Sequence, residues 1–327
     1  MNKLLSTACL ALGGTAVFLS VGVTTASADW PTKDVHLVVP YAPGGTTDVL
    51  SRRVADLLQD ALGANVIVEN RPGAGSTVGT GRLARGGRDA DHTLLMASPG
   101  HTIGAAIYPD LPYDPVEDFV FIQNVIDIPN VMVVPTSSPY QSVEEFIEAA
   151  REENMAFSHS GVGSSIHMSG ELFKTLTGSN MTAVPFAGSG AALPALLGGD
   201  VDVSFENMPT VYSHIQSGDL RALAVTSQER SPYLPDVPTL SEIGVDNLDQ
   251  FVTTAWFGLI AHNSFPEEGY DAMQAALDEV MEREEFLDFA EQLGAEPGQV
   301  EGEAFKQFVI DDLARWQEVA EQAGIRQ

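Results

Sequence analysis

The 327-residue chain carries 45 acidic against 16 basic residues, a net charge of −29, which disfavours nucleic acid and anionic lipid as partners. With 44% hydrophobic residues it is long enough to bury the core of one or two domains. Its single cysteine, Cys9, leaves no disulfide within the chain.

The first element reads as a leader. Lys3 supplies a positive start, residues 4–23 are apolar and small, and Ala26-Ser27-Ala28 forms an A-x-A cleavage site. Gly13 and Gly14 interrupt the run, which favours a secretory signal peptide at 1–28 over a membrane anchor. Asp29 is then expected to begin the mature chain. No later stretch approaches the ~20 apolar residues of a spanning helix. Removing the leader takes away Lys3 and Cys9 but no acid, so the mature chain stands at −30. Such acidity suits an exported protein in saline surroundings; an ordinary acidic surface is the alternative reading.

Short apolar, β-branched runs follow at 35–41, 65–68, 93–97, 130–134, 155–159, 181–186, 201–205, 220–226 and 256–261. Helical patterns separate most of them. Continuous apolar strands alternating with helices indicate buried parallel sheets. Ser142 and Glu145 have the spacing of a capping box ahead of a helix. Over 304–322, Phe305, Phe308, Val309, Leu313, Trp316, Val319 and Ala320 fall on one helical face. The region 267–321 is helical and very acidic, with its charges expected on a solvated face. No repeat, low-complexity segment or long linker divides the chain.

Three glycine- and serine-rich turns each lie between a strand and a helix: Pro43-Gly44-Gly45-Thr46-Thr47-Asp48, the stretch from Ser160 to His167, and Ala187-Gly188-Ser189-Gly190. Glycine permits a tight turn and close approach. Hydroxyls add donors, and a helix N-terminus adds partial positive charge. Together these make anion-binding nests without formal charge, although any one alone could equally be a helix cap. Enzyme signatures are sparse. There is no phosphate-binding G-x-x-x-x-G-K-[ST], and the glycines of 73–79 are spaced one residue too long for a dinucleotide fingerprint. There is no G-x-S-x-G elbow and no H-E-x-x-H pair. No catalytic residue, cofactor or metal is therefore expected.

The segments VPYAPGGTTDVLSR, VIVENRPGAGSTVGT, LPYDPVEDF, HSGVGSSIHMSGELF, VPFAGSGAALPALLGGDVD, LRALAVTSQERSPYLPDVPTLSEIG and AWFGLIA follow one another in order. From about residue 33 to the carboxyl terminus they resemble the substrate-binding proteins of tripartite tricarboxylate transporters, the Bug family of periplasmic receptors. The resemblance implies an α/β, type II periplasmic binding protein: two α/β lobes with mainly parallel sheets around a central cleft. Lobe one would be 29–132 plus 256–327 and lobe two 133–255, hinged near 131–135 and 255–257. Two strand-to-helix loops, 41–47 and 160–167, would act as pincers on a ligand carboxylate. The ligand-binding set implied is Tyr41, Gly44, Gly45, Thr46, Thr47, Ser98, Ser160, Gly163, Ser164, Ser165, His167, Phe186, Glu206 and Asn207. Glu206-Asn207 stands where many members have Asp-Asn, and the longer acid either shapes the cleft, reaches a ligand amine or is structural. The implied function is a monomeric periplasmic receptor that delivers a small carboxylate to integral membrane transporter subunits, with no nucleic acid and no stable membrane insertion. Two other readings stay open: the same fold presenting its ligand to a sensor kinase, and a secreted hydrolase, for which the sequence offers no recognisable nucleophile and base.

Overall fold

The computed structural model describes residues 30–108, 110–245, 247–249, 251–322 and 324–325. The expected leader at 1–28 lies outside the described residues. In chain order the elements are β1 (Val35–Val39), α1 (Thr46–Leu62), β2 (Val66–Asn70), α2 (Thr77–Ala84), β3 (Thr93–Ala97), α3 (Pro99–Ile107) and the long β4 (Phe119–Pro135). Then come α4 (Val143–Glu152), β5 (Met155–His159), α5 (Ser165–Thr177), β6 (Met181–Pro185), α6 (Ser189–Gly198), β7 (Val203–Asn207), α7 (Met208–Ser217) and β8 (Leu220–Val225). The chain closes with β9 (Thr254–His262), α8 (Glu267–Glu282), α9 (Glu284–Gln292), the short β10 (Glu296–Pro297) and α10 (Gly302–Gln322).

Two sheets share β4. The first runs β2-β1-β3-β9-β4, with β10 also paired to β4; the second runs β6-β5-β7-β4, with β8 also paired to β4. β1, β2 and β3 are mutually parallel, as are β5, β6 and β7. Pairs that involve β4 or β9 are antiparallel. The sheets are therefore mixed where apolar runs alone indicated parallel ones. The reason is connectivity: the chain leaves the first sheet along β4 and returns along β9, side by side in opposite directions.

β4 changes partners abruptly. Through Pro129 it pairs with β9, with register shifts at Phe121/Gln123 and Asn124/Ile126. From Asn130 it pairs with β7, and from Val131 also with β8. Only its end, 130–134, was legible as an apolar run, because Gln123, Asn124, Asp127 and Pro129 break the earlier part. A buried polar knot holds the crossing. The Asn130 N–H donates to Thr226 Oγ1 at 3.1 Å, and the Thr226 N–H donates to the Asn130 carbonyl at 2.9 Å. Thr226 Oγ1 donates in turn to the Thr253 carbonyl at 2.5 Å, and Thr253 Oγ1 meets Ser169 Oγ at 2.7 Å. Asn130, Ser169 and Thr226 are fully buried, so each must find partners inside the protein.

Apolar packing supports each sheet. Leu37, Leu50, Val54, Leu58, Ile126, Leu277 and Phe286 belong to one cluster, and Phe146, Phe157, Phe173 and Phe205 to another. Burying a side chain of this size contributes roughly 1.5–3 kcal/mol. The expected cap at α4 forms, with Ser142 Oγ accepting the Glu145 N–H at 3.2 Å. The reciprocal half differs: the Glu145 carboxylate takes the N–H of Gln141, one residue further back, at 2.6 Å.

The carboxyl-terminal helix α10 buries Phe305, Val309, Trp316, Val319 and Ala320, as its periodicity predicts. Trp316, Val319 and Ala320 join the cluster around Phe146 and Phe205, together with Ile103 and Ile107 of α3. The same face also buries an acid, Asp312, which apolar periodicity had no means of flagging. Asp312 Oδ2 accepts from Trp256 Nε1 at 3.0 Å and from Thr102 Oγ1 at 2.7 Å, and its other oxygen pairs with Arg315. One carboxylate thus ties α10 to β9 and α3. Asp312→Ala orphans the buried Trp256 Nε1, leaves Thr102 Oγ1 only the Pro99 carbonyl and unpairs Arg315, and should lower the urea unfolding free energy by about 2–5 kcal/mol. A midpoint within error of the native protein would show that these bonds carry no net stability.

Candidate functional site

β1, β3, β5, β6 and β7 each lead directly into a helix, α1, α3, α5, α6 and α7 respectively. Within each parallel set the strand carboxyl ends lie on one edge, so the helix starts gather there. The two edges face each other across a cavity of about 360 Å³. The N-cap residues of all five helices line it: Gly45, Ser98, Ser164, Gly188 and Asn207. Each start carries unpaired N–H groups and the positive end of a helix dipole. No Lys, Arg, His, Asp or Glu is among the residues that line the cavity. Its walls are backbone, hydroxyls, Asn207, and the apolar surfaces of Pro43, Pro99, Ala255 and Phe257.

Most of the residues expected from the sequence meet here. Tyr41, Gly44, Gly45, Thr46, Thr47, Ser98, Ser160, Ser164, Ser165 and Asn207 all line the cavity. The Tyr41 hydroxyl lies 3.1 Å from Ser98 Oγ, and burial raises its pKa. This ring packs so closely on α3 that a Cβ on Gly100 would sit 2.1 Å from the Tyr41 hydroxyl. Ser164 Oγ accepts the His167 N–H at 3.1 Å and donates to the Gly161 carbonyl at 2.8 Å, so it caps α5 while lining the cavity.

The other four expected residues lie outside the lining. Phe186 faces an adjoining pocket of about 330 Å³, shared with Tyr108 and Val162. Gly163, at φ +83, turns toward Ile103 and Ile107. The chain there also touches the opposite side: a Cβ on Gly75 would meet the Val162 carbonyl at 2.7 Å. His167 is buried, with its ring 4.4 Å from that of His159. Burial, and then the neighbouring His159, push its pKa down to about 3, so it stays neutral. Glu206 sits beneath the lining, 2% exposed, where its Oε1 accepts from Ser189 Oγ at 2.5 Å and from the Asn207 N–H at 3.0 Å.

The glycine turn 187–190 and the Ser98-Pro99-Gly100 turn contribute more lining than the expected set gave them. The available signal was their position: each follows a strand and opens a helix, as the two chosen loops do. The nearby arginines are engaged elsewhere. Asp48 holds Arg52 through Nη2 at 2.9 Å and also accepts from Asn70 and the Gly44 N–H. Burial opposes ionisation of Asp48, but these bonds prevail and keep its pKa below the ordinary carboxylate value. Arg71 pairs with Glu69, and Arg53 reaches the Glu285 carbonyl.

The family model of the tripartite tricarboxylate transporter family receptor matches residues 50–325. The chain belongs to this receptor family. It is 35% identical over 305 residues to Protein BugT of Bordetella pertussis (strain Tohama I), covering 92% of both chains. Among solved structures, a protein of R. palustris with adipate is 33% identical at a TM-score of 0.84, covering 91% of this chain and 99% of that one. MatC from Rhodopseudomonas palustris, with bound malate, is 30% identical at a TM-score of 0.80, covering 89% of this chain and 99% of that one. The fold is accordingly that of the periplasmic receptors of this family, a solute-binding rather than an enzyme family, which works with membrane transporters. No helix among the described residues is long and apolar enough to cross a membrane.

Glu206 should make the stability of this receptor depend on pH. Burial raises its pKa from 4.5 to about 7, against the opposing bonds from Ser189 and Asn207. The folded value exceeds the unfolded one, so its contribution is most favourable below about pH 4.5 and is lost as pH rises through 7. Gln can accept the same two bonds without charge. Glu206→Gln should therefore match the native protein at pH 4 and exceed it at pH 8, by up to about 3 kcal/mol at 1.36 kcal/mol per pKa unit. Equal thermal stability of the two proteins across that range would contradict this origin of the shift.

Proposed function

We propose that the protein is an exported solute receptor that captures a small organic carboxylate in this cleft and presents it to a tripartite tricarboxylate-type membrane transporter. The leader 1–28 would be removed after Ala28. The observation that carries the reading is the convergence of five helix starts on a cavity lined by no charged residue. Such a site attracts an anion through oriented dipoles and N–H groups. The relatives with adipate and malate support a carboxylate as that anion.

In this reading lobe 29–132 plus 256–327 contributes Tyr41, Gly44, Gly45, Thr46, Thr47 and Ser98. Lobe 133–255 contributes Ser160, Ser164, Ser165 and Asn207. Closure about the β4 crossing would bring the two sets onto one ligand. The surface charge of −29 does not oppose this strongly, because distributed charge is screened beyond ~10 Å at 0.1 M salt.

A thermal-shift series over organic acids tests the proposal. A carboxylate at 100 times its Kd should add roughly 2.7 kcal/mol of apparent stability. Response to sugars or cationic peptides alone would reject it. Thr46→Val removes a lining hydroxyl and keeps the shape, and should weaken the best acid roughly 10- to 150-fold, since a hydrogen bond to a charged group is worth about 1.5–3 kcal/mol. Moderate salt should leave the native affinity unchanged or slightly better. A collapse of affinity with salt would instead point to surface arginines.

A further inference from the structure

Glu206 is built into the cleft in a way that the pincer loops do not require. It is the penultimate residue of β7, directly before the α7 N-cap Asn207, and its Oε1 also holds Ser189, the first residue of α6. Two of the five helix starts therefore already have a carboxyl group on them, on the side away from the cavity. The residues it binds, Ser189 and Asn207, are themselves lining residues. Asn207 Nδ2 donates at 2.7 Å to Asn130 Oδ1, so the same buried chain reaches the β4 crossing.

Among the described residues no charged group compensates Glu206. α6 carries no charged residue, and α7 carries only His214, in its last turn. β4 places Asn130 and Val131 opposite Asn207 and Glu206. Its Asp127, four residues earlier than Val131, is hydrogen-bonded to Asn124 and influenced by Glu296. β5 ends in His159 and α5 begins near His167, and burial lowers the pKa of both imidazoles, that of His167 to about 3. Further along α5, Glu171 is paired with Lys174. The facing cavity wall is uncharged. An ionised Glu206 would therefore share its two helix ends with any anion in the cleft, and nothing else would offset the repulsion.

We infer that Glu206 is a resident anion that competes with the ligand for the α6 and α7 helix ends, so that the cleft takes up a proton when it binds a carboxylate and discriminates against a second ligand carboxylate while Glu206 is ionised. The inference rests on the receptor reading above. Its titration lies in the range where this matters, since burial has already moved its pKa up to about 7. An anion placed beside it moves that value further up, and the linkage makes binding pH-dependent. Above the ligand-free value, affinity falls by up to tenfold per pH unit; below it, affinity is flat.

Calorimetric titration with adipate at pH 7.5, in Tris and in HEPES, reads the proton directly. The native protein should show heats that differ between the buffers in proportion to their ionisation enthalpies, with an uptake of up to about three-quarters of a proton on the one-proton limit. Adipate affinity should fall roughly 10- to 30-fold between pH 6 and pH 8.5, on the one-proton limit. Hexanoate has the same chain length and one carboxylate fewer, and should lose less over that span. In Glu206→Gln the two buffers should give the same heat, and affinity at pH 8.5 should equal the native value at pH 6. Glu206→Asp, which keeps a carboxyl group, should retain uptake. Coincident heats for the native protein, or uptake that persists in Glu206→Gln, overturn the inference while leaving the carboxylate receptor intact. If no acid of the thermal-shift series, adipate, malate and hexanoate included, binds at either pH, the receptor reading falls and this inference falls with it.

Discussion

The crossing of β4 from one sheet to the other is the constraint on which the rest depends. At Asn130 the strand exchanges β9 for β7 and β8, and the hydrogen bonds among Asn130, Thr226, Thr253 and Ser169 hold the exchange in place. A buried polar group without a partner costs about 1–3 kcal/mol. The knot therefore tolerates few alternative registers. Because it sets how one sheet meets the other, it also sets which loops face each other across the cleft. Five strand ends that are far apart in the chain become one wall.

That wall solves an electrostatic problem. A chain with a net charge of −29 has few cations to spare for an anion site, and two of them, Arg52 and Arg71, are bound to Asp48 and Glu69. Helix starts supply positive potential with no formal charge and no long side chain to immobilise. They also fall off within a turn of the helix, so the attraction is confined to the cleft. The acidic exterior and the anion-attracting interior coexist because they act over different distances and in different dielectric surroundings.

Acids nonetheless enter the interior, and each has its own justification. Asp312 gathers donors from α3 and β9 and binds Arg315, so it is compensated and structural. Asp48 is compensated by Arg52 and fixes the first glycine turn through the Gly44 N–H. Glu206 has only neutral donors. This contrast separates a carboxylate that stabilises the fold from one whose charge state responds to its surroundings.

Much of this was legible in the amino-acid order. The apolar runs located β1, β3, β5 and β8 almost to the residue, and the ordered motifs indicated the family. The ligand set implied by the family resemblance held ten of the residues that line the cavity, and seven of them lie in strand–glycine–helix turns, because a helix start is a local property of a short segment. Other features were not local. β4 is a 17-residue strand interrupted by Gln123, Asn124, Asp127 and Pro129, and only pairing with β9 makes it one. The turn at 187–190 read equally as an anion nest or a helix cap, and Ser98 entered only through the family resemblance, until the sheets brought both turns to the cavity. His167 and Gly163 sit in a lining loop by sequence, yet the first turn of α5 turns His167 inward and the left-handed backbone at Gly163, φ +83, carries that residue toward Ile103 and Ile107. Asp312 reads as a single acid in a chain that has 45 of them, and Glu206 stood out only as a departure from the family pattern, its role left open between cleft, ligand and structure. Burial sets them apart, and burial depends on what packs against a residue from distant parts of the chain, which sequence spacing does not encode.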